Sequence, residues 1–160
     1  MTSAVDTNIL LDVLIPNSAF VTRSQAVLER GSQAGVLVVC EIVYAELGAH
    51  FEKADALDDF LAQTRIRLDR SEARCLAIAG QRWRDYRRST GSLQCPQCGK
   101  PISAFCQSCQ TPVGSRQHLV ADFVVGAHAL RHADRLLSRD QGFYRRYFPE
   151  LRVRDNVADW

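Results

Sequence analysis

The sequence predicts an α/β fold: a central parallel sheet flanked by helices on both faces. Short apolar, β-branched runs alternate with longer stretches of helical period. The connections between them are a few residues long, as strand–helix–strand units require. At 160 residues, 46% hydrophobic and 24% charged, the chain supports one packed domain with room for a small insert, and it is not disordered. No apolar run approaches the ~18–20 residues of a membrane-spanning helix. The opening MTSAVDTNILLDVL has no Lys or Arg before its apolar stretch and carries Asp6 and Asp12, unlike a secretory leader. A cytoplasmic protein is expected.

Ser3-Ala4-Val5 reads as a strand ending at Asp6, and Thr7 to Leu14 as an apolar helix stopped near Pro16. Ser18 is placed to cap a helix over Ala19–Gln33 that ends at Gly35. Val36 to Cys40 is an unbroken apolar run, the pattern of a strand covered on both faces. Helices are expected over Glu41–Phe51 and Ala54–Thr64, the latter with Leu57, Phe60 and Leu61 at core spacing. A short strand follows over Arg65–Leu68, then a long helix capped by Ser71 and reaching Arg88. After residue 114, a helix over Gln117–His132 leads to a strand over Arg135–Ser138. A short helix over Gly142–Tyr147 and a last strand over Leu151–Val153 complete the series. Gly126, Ala127 and Ala129 give the long helix a thin face suited to close contact with the sheet.

Residues 91–114 break this rhythm. They hold three of the five Pro, three of the nine Gly and four of the six Cys, with no sustained period. Cys95-Pro96-Gln97-Cys98 and Cys106-Gln107-Ser108-Cys109 are two CxxC knuckles separated by seven residues. Each knuckle turns its sulfurs toward one point, and four thiolates favour tetrahedral Zn²⁺ with no open position, hence a structural site. A segment this short cannot build its own core, so the metal would supply its folding free energy. Cys40 and Cys75 stand in apolar surroundings as core thiols.

Net charge is +2, but residues 1–64 carry −6 and residues 65–160 carry +8. Eighteen of the twenty basic residues are Arg, whose planar fork suits phosphate. Arg82, Arg84, Arg87 and Arg88, interleaved with Trp83 and Tyr86, form a candidate RNA-tracking rim with Arg145 and Arg146. Genomic preference for Arg codons and a solvated helix face remain the alternatives. His118 precedes Asp122 by one helical turn, and His128 and His132 are spaced i, i+4. That pair would suit a metal, but packing and a helix C-terminal charge effect are the readings preferred.

Asp6 and Asp140 both fall near the carboxyl ends of expected strands, where open α/β sheets bind ligands. Although 134 positions apart, they should face one crevice. Glu46 in Val43-Tyr44-Ala45-Glu46-Leu47 and Asp122 in Leu119-Val120-Ala121-Asp122-Phe123 interrupt apolar segments. A carboxylate buried unpaired is costly, so each needs a donor, a cation or a metal. Taken singly, Asp6 could cap a helix, Asp140 could serve a turn and Glu46 could reach solvent. Taken together, four acids would raise one another's pKa unless a divalent cation lay among them. An oxygen-only donor set favours Mg²⁺ or Mn²⁺, which can lower the pKa of a water and stabilise a leaving phosphate oxygen.

The stretches Val5-Asp6-Thr7-Asn8-Ile9-Leu10-Leu11-Asp12, Tyr44-Ala45-Glu46-Leu47, Asp122-Phe123-Val124-Val125-Gly126-Ala127-His128-Ala129 and Leu136-Leu137-Ser138-Arg139-Asp140-Gln141-Gly142-Phe143-Tyr144 occur in that order. Together they resemble PIN-domain ribonucleases, specifically VapC toxins, over about residues 1–90 and 115–153. The resemblance implies a PIN-like fold and a metal-dependent endoribonuclease with a four-acid site, usually dimeric and inhibited by a VapB-type antitoxin. It places Asp6, Glu46, Asp122 and Asp140 at the acidic positions, with Asp6 and Asp122 as the foremost metal ligands. Thr7 or Ser138 falls where the family carries a hydroxyl near the metal. The compact toxins lack residues 91–114, although PIN proteins with a zinc ribbon exist as a type. The expected organisation is a PIN-like nuclease domain over 1–90 and 115–160 with a four-cysteine zinc-knuckle insert over 91–114. The expected role is the toxin of a VapBC-type pair or a related RNA-processing PIN protein, and a non-catalytic RNA- or protein-binding adaptor that uses the knuckle is the competing reading. A flap-type DNA nuclease is a third, disfavoured by the lack of a helical arch or long basic lid.

Overall fold

A computed structural model of the chain describes residues 1–15, 19–89, 93–94, 101–102, 104–105, 107–110 and 119–160. Five parallel strands form one sheet: β1 (Thr2–Val5), β2 (Val36–Val39), β3 (Ile66–Leu68), β6 (Arg135–Leu137) and β7 (Val153–Arg154). Their order is β3-β2-β1-β6-β7, so the chain builds outward from β1 on one side and then returns to its other side. Consecutive residues of a strand face opposite ways, and Ala4 with Val5, and Leu136 with Leu137, are all buried. Both faces of the sheet centre are therefore covered.

Among the described residues the helices are α1 (Thr7–Leu14), α2 (Val21–Ala34), α3 (Glu41–Gly48), α4 (Ala54–Thr64), α5 (Ala73–Ser89), α6 (Val120–His132) and α7 (Gln141–Tyr147). Leu93–Gln94 (β4) and Pro101–Ile102 (β5) pair antiparallel in a ladder of their own, outside the main sheet. Gly35 ends α2 where the backbone passes so close to Met1 that a Cβ would lie 1.9 Å from its carbonyl oxygen. That approach lets Val36 N–H donate to Met1 O and start the β1–β2 ladder.

Several boundaries differ from the sequence reading. Ser18 lies outside the described residues, and α2 starts two residues later than expected, after Phe20. Ser71 does not serve as a cap; its N–H and hydroxyl both donate to Glu41 Oε2 at 3.0 Å. α3 stops at Gly48 because the next three amides turn back three residues instead of four. The last strand is Val153–Arg154, beyond Leu151, whose N–H bonds the turn at Phe148. Helix α6 starts at Val120; the expected first turn from Gln117, with His118, lies outside the described residues. Gly126 meets the Phe148 ring rather than the sheet, a Cβ there falling 2.5 Å from Cε2. Around Phe148, the rings of Phe123, Phe143, Tyr144, Tyr147 and Tyr86 form a tilted and edge-on cluster that locks α5, α6 and α7 together.

Candidate active site

Strand order positions the site. The chain reverses direction of growth between β1 and β6, the place where open α/β sheets bind their ligands, beyond the carboxyl ends of the strands. Val5 pairs with Leu137, and Asp6 N–H donates to Leu137 O at 3.0 Å. This register sets the Ser138 hydroxyl 2.6 Å from Asp6 Oδ2. Asn8 Nδ2 donates to the same carboxylate oxygen at 2.8 Å and to Ser138 Oγ at 3.1 Å. Asp140 N–H also donates to Ser138 Oγ, at 3.1 Å. With both acceptor positions of Ser138 filled, its one proton is directed to Asp6. Tyr144 OH, one turn into α7, reaches the same Asp6 oxygen at 3.3 Å.

Asp6 is the buried member of the acid set. Burial pushes its pKa up to about 6. The Ser138 hydrogen bond opposes that rise, the charges of Asp122 and Glu46 reinforce it, and the Thr7 amide opposes it weakly. The Tyr144 phenol is driven well above its ordinary range by burial and by the charges of Asp6, Asp122 and Asp140. It therefore stays protonated as a donor. Asp122 and Glu46 thus act on Asp6, and Asp140 acts on the Tyr144 that donates to Asp6.

Burial is unequal among the four acids. Asp122 is half-buried, and Glu46 and Asp140 are exposed. Because α6 starts at Val120, Asp122 lies in its first turn and accepts the Leu119 N–H at 2.8 Å, a position where the helix dipole favours an anion. Glu46 projects from the short α3 and accepts the Thr7 hydroxyl. Asp140 caps α7 by accepting the Phe143 N–H at 3.2 Å. The desolvation cost thus falls on Asp6. Both predicted hydroxyls adjoin acids, Thr7 at Glu46 and Ser138 at Asp6.

An all-oxygen donor set fits a hard divalent cation. Its buried carboxylate feels two like charges and, among the described residues, has no ion-pair partner. Asp6, Asp122, Glu46 and Asp140 are the residues that would hold it. Tighter groupings of ligand atoms, within 4.8 Å of one another, occur elsewhere, at Asp69, His128 and His132 and at Glu72, Cys75 and His132.

The basic candidates divide. Arg82 is committed to structure: it holds Glu150 through two bonds at 2.9 and 3.1 Å, donates to Tyr147 O and lies over the Phe148 ring. Tyr86, expected as a stacking surface, is instead buried against Phe123 and Tyr147. Arg84, Arg87 and Arg88 line an open hollow with Trp83, where Arg87 stacks on the indole at 5.0 Å. Arg145 and Arg146 are exposed on α7. Of the four clustered cysteines, Cys95, Cys98 and Cys106 lie outside the described residues, and Cys109 is exposed.

Sequence reasoning assigned no role to Asn8 or Tyr144. Asn8 bridges Asp6, Ser138 and the Arg139 N–H. Asn8 follows Asp6 by two positions, a spacing that brings a short polar donor back to the acid, whereas Tyr144 reaches Asp6 from 138 residues away and carries no local sequence signal. Asp12 is also buried, accepting Ser24 Oγ at 2.7 Å and pairing with Arg139 at 2.8 Å, which ties α1 to the segment after β6.

The PIN domain family matches the chain over residues 4–149. The chain belongs to the PIN domain family. Members of this family are generally nucleases. Several solved structures share the PIN fold. VapBC2 from Rickettsia felis, bound to a promoter DNA fragment, aligns at 18% identity and TM-score 0.59, covering 96% of this chain and 98% of that one. VapBC-1 from nontypeable Haemophilus influenzae aligns at 21% identity and TM-score 0.57, covering 97% and 98%. VapC20 from Mycobacterium tuberculosis, a toxin that cleaves the sarcin-ricin loop, aligns at 16% identity and TM-score 0.52, covering 94% and 98%. No curated protein sequence matches the chain. Among the described residues of this PIN domain, no helix is long and apolar enough to cross a membrane.

Proposed function

We propose that this PIN domain is a divalent-metal-dependent endoribonuclease that hydrolyses RNA phosphodiester bonds in the cytoplasm as the toxin of a VapBC-type pair. The observation that carries the reading is the Asp6 carboxylate, held by Ser138, Asn8 and Tyr144 and raised in pKa first by burial and further by the charges of Asp122 and Glu46. A bound Mg²⁺ or Mn²⁺ would supply Lewis acidity toward water and the scissile phosphate. Asp6 and Asp122 would be its foremost ligands, with Glu46 and Asp140 completing the cage. The three donors on Asp6 Oδ2 fix the carboxylate's orientation, and Thr7 does the same for Glu46. Tyr144 stays protonated and so supports Asp6 without adding charge. No nucleophilic side chain and no covalent intermediate are needed. Arg84, Arg87, Arg88, Arg145 and Arg146 are the cations open to RNA phosphates.

A VapB-type antitoxin and a homodimer belong to the same reading, supported by the fold shared with VapBC complexes and with FitAB bound to a DNA fragment. The division into a nuclease domain (1–90 and 115–160) and an insert (91–114) is supported by the separate β4–β5 ladder. In that insert Cys95, Cys98, Cys106 and Cys109 would hold a structural Zn²⁺.

Incubation of the pure protein with total RNA, followed by mapping of cut ends, tests the proposal. Cleavage should require added Mg²⁺ or Mn²⁺, stop with EDTA, and vanish in Asp6→Asn. Cuts that survive EDTA, or an equally active Asp6→Asn protein, would overturn it.

A further inference from the structure

We infer that Asp69, His128 and His132 form a second metal site, of the kind that takes Zn²⁺, at the opposite end of α6 from Asp122. Asp69 follows β3, where its N–H extends the ladder to Val39 O at 2.9 Å. Its Oδ2 lies 2.9 Å from His132 Nδ1 and 3.4 Å from His128 Nε2. All three ligand atoms fall within 4.8 Å of one another. Zn²⁺ bonds imidazole nitrogen and carboxylate oxygen at about 2.0–2.2 Å, so the edges of its tetrahedron are roughly 3.3 Å. The two measured separations bracket that edge. The same helix face carries both imidazoles, because residues four apart are stacked one turn above the other; their rings lie 4.7 Å apart and 20° from parallel.

A second observation points to a ligand. His128 is 1% exposed, yet its Nε2 makes no well-formed hydrogen bond, its contact with Asp69 Oδ2 being long at 3.4 Å. A buried ring nitrogen without a partner is costly, and a metal bond would satisfy it. Asp69 and His132 are only part-buried, which leaves an entry path from solvent. Glu72, Cys75 and His132 form an adjoining group within the same 4.8 Å spread, Glu72 is paired with Arg131, and Glu41 faces His128. Two nitrogens and one oxygen favour a borderline ion such as Zn²⁺ over the hard ions suited to the four acids. Asp122 and His132 are ten residues apart, about 15 Å along the helix, so the two sites are separate. Three protein ligands leave the fourth position to water. Such an ion would clamp the end of β3 to α6 independently of what the acidic crevice does.

The test counts metal on the full chain. After chelation and removal of chelator, wild type, His132→Gln and Asp69→Asn are dialysed to equilibrium against low-micromolar Zn²⁺ and their bound zinc is measured. Circular dichroism confirms that each is folded; both replaced side chains are part-exposed. Each variant should retain one equivalent fewer than wild type, and the gain in Tm on adding Zn²⁺ should shrink in both. The same one-equivalent difference should persist in a Cys109→Ser background, which separates this site from the cysteine insert. Equal zinc in wild type and both variants would overturn the proposal and leave Asp69–His132 as a hydrogen bond alone. The count does not depend on nuclease activity, so it can fail or succeed separately from the proposed function.

Discussion

The Ser138 hydroxyl gives its only proton to Asp6 Oδ2 at 2.6 Å, across 132 residues of chain. That hydrogen bond stabilises the ionised carboxylate, so its loss must raise the Asp6 pKa above the present value of about 6. In Ser138→Ala the acid limb of the pH–rate profile should move to higher pH. RNA cleavage at pH 6 should fall on the order of tenfold, with a smaller loss at pH 8. Kinetics across pH 5.5–8.5 on a defined oligonucleotide would check it.

Burial makes Asp6 a liability for the fold. Its pKa is about 6 in the folded state against 3.8 for the free side chain, so the folded state holds the proton more tightly between those values. Stability must then fall as pH rises through this window, with the full penalty present above pH 6 and none below 3.8. Asp6→Asn keeps an acceptor for Ser138 and removes the charge. Without added metal it should be more stable than wild type at pH 7.5 by about 1–3 kcal/mol, and nearly equal to it at pH 3.5. Urea unfolding at the two pH values reads this directly.

Arg82 and Arg87 should behave differently although they lie on one helix. Arg82 holds Glu150 and Tyr147 O, so Arg82→Ala should cost about 1 kcal/mol of stability and leave the salt dependence of RNA binding unchanged. Arg87 is exposed beside Trp83, so Arg87→Ala should leave Tm unchanged and lower the slope of log K against log salt by about one. Binding titrations on catalytically silent Asp6→Asn protein at several salt concentrations separate the two.

At Gly126 a methyl group has nowhere to go. Its Cβ would fall 2.5–2.8 Å from three atoms of the buried Phe148 ring. Despite the higher helix propensity of Ala, Gly126→Ala should destabilise by about 1–3 kcal/mol through forced displacement of that ring. Chemical denaturation would show a lower midpoint, and Phe148→Leu in the same chain should recover part of it.

Much of this architecture was legible from residue order. Val36–Val39 and Leu136–Leu137 are apolar without alternation, which announces strands covered on both sides, and Asp6 follows directly at the carboxyl end of β1. Periodicity marked the helices, but their ends depend on which donor meets which acceptor. Ser71 resembled a cap by position and was claimed by Glu41, a partner thirty residues away. The same shift in a helix start turned Asp122 from a costly mid-helix carboxylate into a first-turn acid. Tyr86 looked like a surface ring among arginines, and only the third dimension places Phe123 and Tyr147 against it. Local pattern reports exposure poorly wherever one helix turns an aromatic inward between charged neighbours.

Strand β1 is synthesised before its neighbours in the sheet, yet it has no partner on its far side until β6 is made. Asp6, Thr7 and Glu46 exist early in synthesis, whereas Ser138, Asp140 and Tyr144 come much later in the chain. An unfinished polypeptide therefore carries half of the acidic crevice with nothing to orient its central carboxylate. The connectivity delays maturity: a copy still being translated up to α6 lacks Ser138 and Tyr144, and the donors that orient Asp6 arrive only once β6 and α7 have been made.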